Sequence, residues 1–377
     1  MKKDFAADGL RGVAALNVIL CHFFISFFPL GFIMLYPGSA TPDALPSRVD
    51  KILSTPFLSI LWNGNFAVCV FFVLSGYVLT KSFCDGGSLN ILQKRCARRF
   101  FRFLIPILMS VMLSYIIIIT GLGYWREASA ISHSAWLAHF WTFEPSFVSA
   151  IQEGLYSVLL NGVSHYTPPL WTMKVEFIGS LLVFAYRALQ IKDSKATIIN
   201  LIVFIFVMYK FFPVDWIYYI AFIAGSHLND IKFRLKTTSI VLLSFITVYF
   251  GAYDNSIFYS WIQNINIINA NMKNIFNVIG GIALVTIVRN GNMDFLLLTR
   301  PVQFIGSISY SIYLVHFPIL LSFSTFLYIV AYRYGFSNAI AIPINLVSTL
   351  TVIIIIAILF NKYFDKGSIR LSKTIFK

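Results

Sequence analysis

The chain has 377 residues, of which 58% are hydrophobic and 12% charged, and its mean hydropathy is +0.78. Soluble globular domains carry about 25% charged residues, so this composition excludes a soluble globule and leaves little room for a separate soluble domain. The net charge of +14 comes from basic residues clustered between apolar spans, which is the pattern of membrane topology, and no nucleic acid partner is expected.

The apolar runs place ten candidate helices near 12–34, 61–81, 100–120, 169–188, 197–212, 213–228, 238–252, 274–289, 305–330 and 338–361. The first follows Met1-Lys2-Lys3 as a signal peptide would, but the run is too long, holds His22 and lacks an A-x-A-like exit, so it stays as a helix. The sixth has the weakest pattern, being short and opening on Pro213 and Asp215. Two longer connections, about 35–60 and 121–168, lie on one side. The second is rich in Trp136, Trp141, His133, His139 and His165 and ends in Pro168-Pro169. With a cytoplasmic N-terminus, 22 of the 29 Lys and Arg residues fall on the cytoplasmic side and 6 on the other, with Lys174 inside a span. That asymmetry puts both termini in the cytoplasm. The expected fold is all-α: one polytopic integral membrane domain over 1–377 with about ten transmembrane helices. It has a short basic tail at 362–377 and no appended soluble domain. Cys21, Cys69, Cys84 and Cys96 show neither disulfide nor metal-ligand spacing, and no metal is expected.

Four stretches can carry chemistry. In the first helix His22 follows Arg11 by eleven positions, which returns to the same helix face within about 20° after a rise of roughly 16 Å. One face then carries a cation near the cytoplasmic surface and an imidazole near mid-membrane. Such an imidazole is either a proton acceptor tuned by its surroundings or a packing group bonded to a neighbouring helix. Arg98, Arg99 and Arg102 open the third helix. Three guanidiniums at a helix N-terminus suit a polyphosphate, and the same cluster also serves as positive-inside anchoring. Lys174 and Glu176 lie within a span and diverge by about 200° on a helix. Glu176 either orients or charge-balances His22 or belongs to an interhelical Glu–Lys or Glu–Arg pair; Lys174 can snorkel to the far surface. The last stretch, Gly306 to His316, combines small residues suited to close helix packing with a second intramembrane imidazole, and packing is the reading preferred there. Walker, H-E-x-x-H and G-x-S-x-G patterns do not occur.

These pieces together resemble the membrane-bound acyltransferase 3 family. The resemblance is carried by Asp8-Gly9-Leu10-Arg11-Gly12 with His22, Phe71-Phe72-Val73-Leu74-Ser75-Gly76-Tyr77, and Arg98-Arg99-x-x-Arg102. It continues in Leu170-Trp171-Thr172 with Glu176 and in Ser309-Tyr310-Ser311-Ile312-Tyr313-Leu314-x-His316. It implies a bacterial inner-membrane, multi-pass O-acyltransferase. Such an enzyme takes an acyl group, acetyl from acetyl-CoA above all, on the cytoplasmic side. It passes the group to a sugar hydroxyl of a glycan or lipid-linked glycan on the periplasmic side, such as lipopolysaccharide O-antigen or exopolysaccharide. By position, Arg11 and His22 resemble the family's Arg-x10-His pair, with His22 catalytic, and Arg98, Arg99 and Arg102 resemble its acyl-CoA-linked motif. Glu176 looks like the family's acidic position, although Phe177 stands where a second acid often follows. Asp365-Lys366-Gly367 stands where Glu-x-Pro is usual, and no role is assigned there. Two other classes use the same residues differently: a membrane carrier with an intramembrane proton or substrate path, and a structural partner in glycan assembly or export.

Overall fold

The computed structural model describes residues 4–190, 194–231, 234–263 and 272–376. Lys2, Lys3, Lys192, Lys232 and Lys377 of the topology argument lie outside the described residues. Helices stand at all ten expected positions: α1 Phe5–Phe27, α2 Gly64–Cys84, α3 Leu89–Ile119, α4 Trp171–Ala188 and α5 Ser194–Phe211, then α6 Trp216–His227, α7 Thr237–Gly251, α8 Met272–Arg289, α9 Arg300–Arg333 and α10 Asn338–Ile375. Six of them (α1, α2, α3, α8, α9 and α10) are long and apolar enough to cross a membrane. Among the described residues there is no strand, only an isolated bridge between Ala40 and Ser134. Large apolar side chains such as Ile202 and Phe206 of α5, Phe245 of α7 and Val347 of α10 face outward. A bilayer would cover them.

Helix boundaries differ from the sequence reading at both ends of α1, at the start of α3 and at the end of α10. α1 begins at Phe5 rather than 12, because the Asp4 carboxylate accepts the Ala7 N–H at 3.1 Å. Asp8 and Arg11, which bound the apolar run in the sequence, pair at 2.9 Å on one helix face and so ride inside the helix. It ends at Phe27, just before Pro29, which starts a short 3-10 turn. α3 begins at Leu89 rather than 100. Its first turns are polar and face the basic end of the bundle, where an apolar run cannot reveal them. The tail expected at 362–377 is helical: α10 passes through a π-helical turn at Asn361–Asp365, and its last segment, Lys366–Ile375, packs against α3.

α1 is central. It packs against α2 and α9; α2 packs in turn against α6 and α8, and α9 against α10. The α1–α9 contact is backbone on backbone. A Cβ on Gly306 would stand 2.2 Å from the Asp8 carbonyl oxygen, and one on Gly12 would stand 2.7 Å from the Gly306 nitrogen. Only glycine permits that approach. The two helices run parallel from this crossing. Asp4 pairs with Lys81 at 2.6 Å, and the Arg98 Nε donates to the Phe376 carbonyl at 3.1 Å. Both chain ends and the α2–α3 turn therefore share one end, the basic end. The connections 35–60 and 121–168 cap the other, the loop end.

Candidate active site

His22 lies ten residues beyond Gly12 and His316 ten beyond Gly306, so the parallel helices deliver the two imidazoles to the same level. The His22 Nδ1 stands 2.9 Å from the His316 Nε2, with the rings within 4° of coplanar. The other nitrogen of His316, Nδ1, is 2.7 Å from the Tyr313 carbonyl oxygen. His316 is buried, whereas His22 is half-buried and borders a cavity. Trp136 stacks on His22 with ring centroids 5.5 Å apart. It is held there by the loop-end connections. The Ser132 and Ser134 hydroxyls donate to the Ser26 and Ile25 carbonyls at 2.8 and 2.9 Å, and the Trp136 backbone N–H donates to the Ser39 carbonyl at 3.1 Å.

Two cavities approach this point from opposite ends. The one toward the loop end has a volume of about 780 Å³ and is lined by His22, Tyr36, Asn65, Trp136, Trp171 and Lys273 among others. Aromatic faces beside amides and a cation suit a polar ring-shaped ligand. The cavity toward the basic end has a volume of about 610 Å³. Its lining includes the cations Arg11, Arg99, Arg102 and Lys366 and the carboxylates Asp8, Glu176 and Asp365, with Ser75 and Tyr310; Phe71, Phe72, Phe103 and Met173 make its apolar walls. The cavities share Val68, Thr172 and Tyr313. Thr172 and Tyr313 close the partition with hydroxyls 2.7 Å apart, and the Tyr313 hydroxyl donates to the Pro169 carbonyl at 2.8 Å. Upstream of Pro168-Pro169, the buried Glu153 fixes the loop by accepting the His165 and Tyr166 N–H groups at 3.0 and 2.9 Å.

The arginine cluster divides. Arg99 pairs with Glu176 at 2.7 Å, and the Ser75 hydroxyl donates to the same carboxylate oxygen at 2.9 Å. Arg102 pairs with Asp365, is 3.3 Å from the Ser368 hydroxyl, and lies over the Tyr310 ring, 4.9 Å from its centroid. Arg98 turns to the Phe376 carbonyl and does not line the cavity. Because α3 starts at Leu89, these side chains project from within a helix, and the free backbone donors expected at a helix N-terminus are not beside them. Anion binding here therefore falls to the guanidiniums. The Arg99 Nε and the Tyr310 hydroxyl are buried without hydrogen-bond partners, and both residues line the cavity. Buried polar groups are normally satisfied, so these two leave donors for a ligand.

Glu176 thus stands with Arg99 in the basic-end cavity, and the hydrogen-bonding partner of His22 is His316. Lys174 reaches Asp215, just ahead of α6, and pairs with it at 2.9 Å. Sequence reasoning gave His316 to packing and left Asp365 without a role; the structure puts the first on His22 and the second on Arg102. The signal for His316 was present as a repeated ten-residue step from glycine to histidine, 12 to 22 and 306 to 316. Among the described residues, no group of three or more His, Cys, Asp or Glu stands together as a metal site would.

Fold and site define a multi-pass membrane protein whose central helix carries a histidine in the wall of one of two cavities that meet at a partition. A family model for an acyltransferase domain matches residues 4–359, nearly the whole chain, and the chain belongs to the acyltransferase 3 family. It is an acyl-transferring enzyme of the membrane. No curated protein and no solved structure matches the chain.

Proposed function

We propose that this protein is an inner-membrane O-acyltransferase of a bacterium. It moves an acetyl group from cytoplasmic acetyl-CoA to a sugar hydroxyl of a cell-surface glycan, such as lipopolysaccharide O-antigen or exopolysaccharide, on the periplasmic side. The observation that carries the reading is the pair of cavities meeting at Val68, Thr172 and Tyr313, with His22 on the loop-end side. The basic end is the cytoplasmic one, by the distribution of Lys and Arg.

The basic-end cavity suits the donor. Arg11, Arg99 and Arg102 meet its phosphates, and the aromatic walls take the pantetheine arm as it runs toward the partition. Glu176 holds Arg99 in place, and Asp365 does the same for Arg102. The loop-end cavity takes the sugar. There His22 removes the proton from the acceptor hydroxyl as it attacks the thioester carbonyl, a role worth about 10²–10⁴ in rate. The rival chemistry passes the acyl group through His22 itself.

The test is the mass of the surface glycan from cells with the intact protein, without it, and with His22→Ala. One acetyl increment per modified sugar should appear only with the intact protein. A solute carrier or a structural partner would leave the increment independent of His22. Normal acetylation by a membrane-inserted His22→Ala protein would sink the assignment.

A further inference from the structure

We propose that His316 is a positioning residue: it holds His22 in the tautomer protonated at Nδ1 and so leaves the Nε2 lone pair of His22 free for the reaction. The inference rests on the acyltransferase reading of the loop-end cavity.

Hydrogen-bond polarity assigns the protons of the pair one atom at a time. A carbonyl oxygen only accepts, so the His316 Nδ1, 2.7 Å from the Tyr313 carbonyl, carries a proton. A neutral imidazole has one N–H, so the His316 Nε2 presents a lone pair. His316 is 1% exposed, and its hydrogen bonds run to a carbonyl and an imidazole. A second proton on the ring would place a charge in the core facing no carboxylate among these contacts. The atom 2.9 Å from that lone pair is the His22 Nδ1, which must therefore donate. Nothing remains to hold a proton at the His22 Nε2. With the two nitrogens 2.9 Å apart and the ring centroids 5.2 Å apart, the nitrogens lie close to the line joining the rings, the geometry of a hydrogen bond directed in the ring planes. Trp136 stacks on His22 at a centroid distance of 5.5 Å, and Phe317 meets it edge to face at 5.4 Å.

The consequence for the reaction is direct. The Nε2 lone pair takes the acceptor's hydroxyl proton while the oxygen's electron pair bonds to the thioester carbonyl carbon. The C–S bond then breaks with its electrons on sulfur, and Nε2 returns the proton to the thiolate, giving the ester and the CoA thiol. An acyl-His22 route needs the same lone pair as nucleophile. In either route the developing positive charge on His22 is met by the His316 Nε2, already placed on Nδ1. With the other tautomer, the reacting nitrogen would carry a proton and could neither accept nor attack.

The test uses the full chain in native membrane vesicles with radiolabelled acetyl-CoA as the donor probe, and compares His316→Leu, His316→Gln and His22→Ala. Leucine fills space without an acceptor; the glutamine amide oxygen can reach the place of Nε2. His316→Leu should lower kcat by about 10²- to 10⁴-fold, the upper figure being the loss when a catalytic imidazole loses the partner that fixes its tautomer. Its KM for acetyl-CoA should stay unchanged, since the residue lies outside the donor cavity. His316→Gln should restore much of the lost kcat. The inference is overturned if His316→Leu keeps kcat within about twofold of the parent while His22→Ala is inactive. It is equally overturned if His316→Gln falls as far as His316→Leu with both at parental levels in the membrane, for then only packing matters. Activity retained by His22→Ala would instead refute the acyltransferase role of His22 itself.

Discussion

A methyl group added at Gly306 tests the site from a distance. The new Cβ of Gly306→Ala would meet the Asp8 carbonyl oxygen at 2.2 Å and its carbon at 2.7 Å, where ordinary contact begins near 3.4 Å. Both sides of the clash are backbone, so no rotamer relieves it. α1 and α9 must part by the difference between 2.2 and 3.4 Å, about 1.2 Å. Carried ten residues along two parallel helices, that displacement takes the His22–His316 separation from 2.9 Å to about 4 Å, beyond hydrogen-bond range. Overpacking of this size costs about 1–3 kcal/mol, which lowers the melting temperature without unfolding the protein. The expected result is a membrane-inserted protein with a kcat reduced as strongly as that of His316→Leu. Acetyl transfer from radiolabelled acetyl-CoA and a thermal melt measure the two effects. Gly367→Ala is the control, because nothing lies within 4 Å of its Cβ. A Gly306→Ala protein with parental kcat would refute the reasoning, since the glycine crossing would then not set the spacing of the histidines.

Three further outcomes follow from contacts elsewhere. Arg99→Gln and Glu176→Gln should each raise the KM for acetyl-CoA, and the double variant should be less impaired than the two effects combined. A double-mutant cycle should show a coupling of about 0.5–3 kcal/mol, because breaking one side of a largely buried pair strands the other; full additivity would mean that the pair does not act as a unit. Tyr313→Ala removes the partition between the cavities and should raise acceptor-independent hydrolysis of acetyl-CoA, followed by release of free thiol in vesicles. No rise over the parent would show that the partition does not exclude water. By contrast, Glu127→Gln breaks a pair with Arg333 whose side chains are 45% and 66% exposed. It should change stability by less than about 1 kcal/mol, and a larger drop in the thermal melt would contradict that reading of the loop end.

The helical class and the position of each long helix were legible because a bilayer demands continuous apolar runs, and such runs are visible residue by residue. Boundaries were legible only where the run itself stopped. The starts of α1 and α3 were missed because Asp8 with Arg11, and the polar turns after Leu89, are charged segments inside helices. His22, Arg11, Arg99, Arg102 and Glu176 were each found as costly groups in or beside a span, and the structure brings all but His22 to one cavity. Their pairing was not legible. Arg99 meets Glu176 across 77 positions of sequence, His22 meets His316 across 294, and Arg102 meets Asp365 near the end of the chain.

The sequence by itself determined that the chain is a bundle of membrane-length helices with a basic end, because hydrophobicity and charge act locally and need no partner to be read. Which imidazole faces which was decided only by the packing of α1 on α9, which carboxylate holds which guanidinium by the packing of α3 on α4 and α10, and where two cavities stop short of one another by the contact of Thr172 on α4 with Tyr313 on α9. The spacing of the imidazoles depends on two glycines meeting backbone to backbone, a contact that exists only once α1 and α9 are both in place.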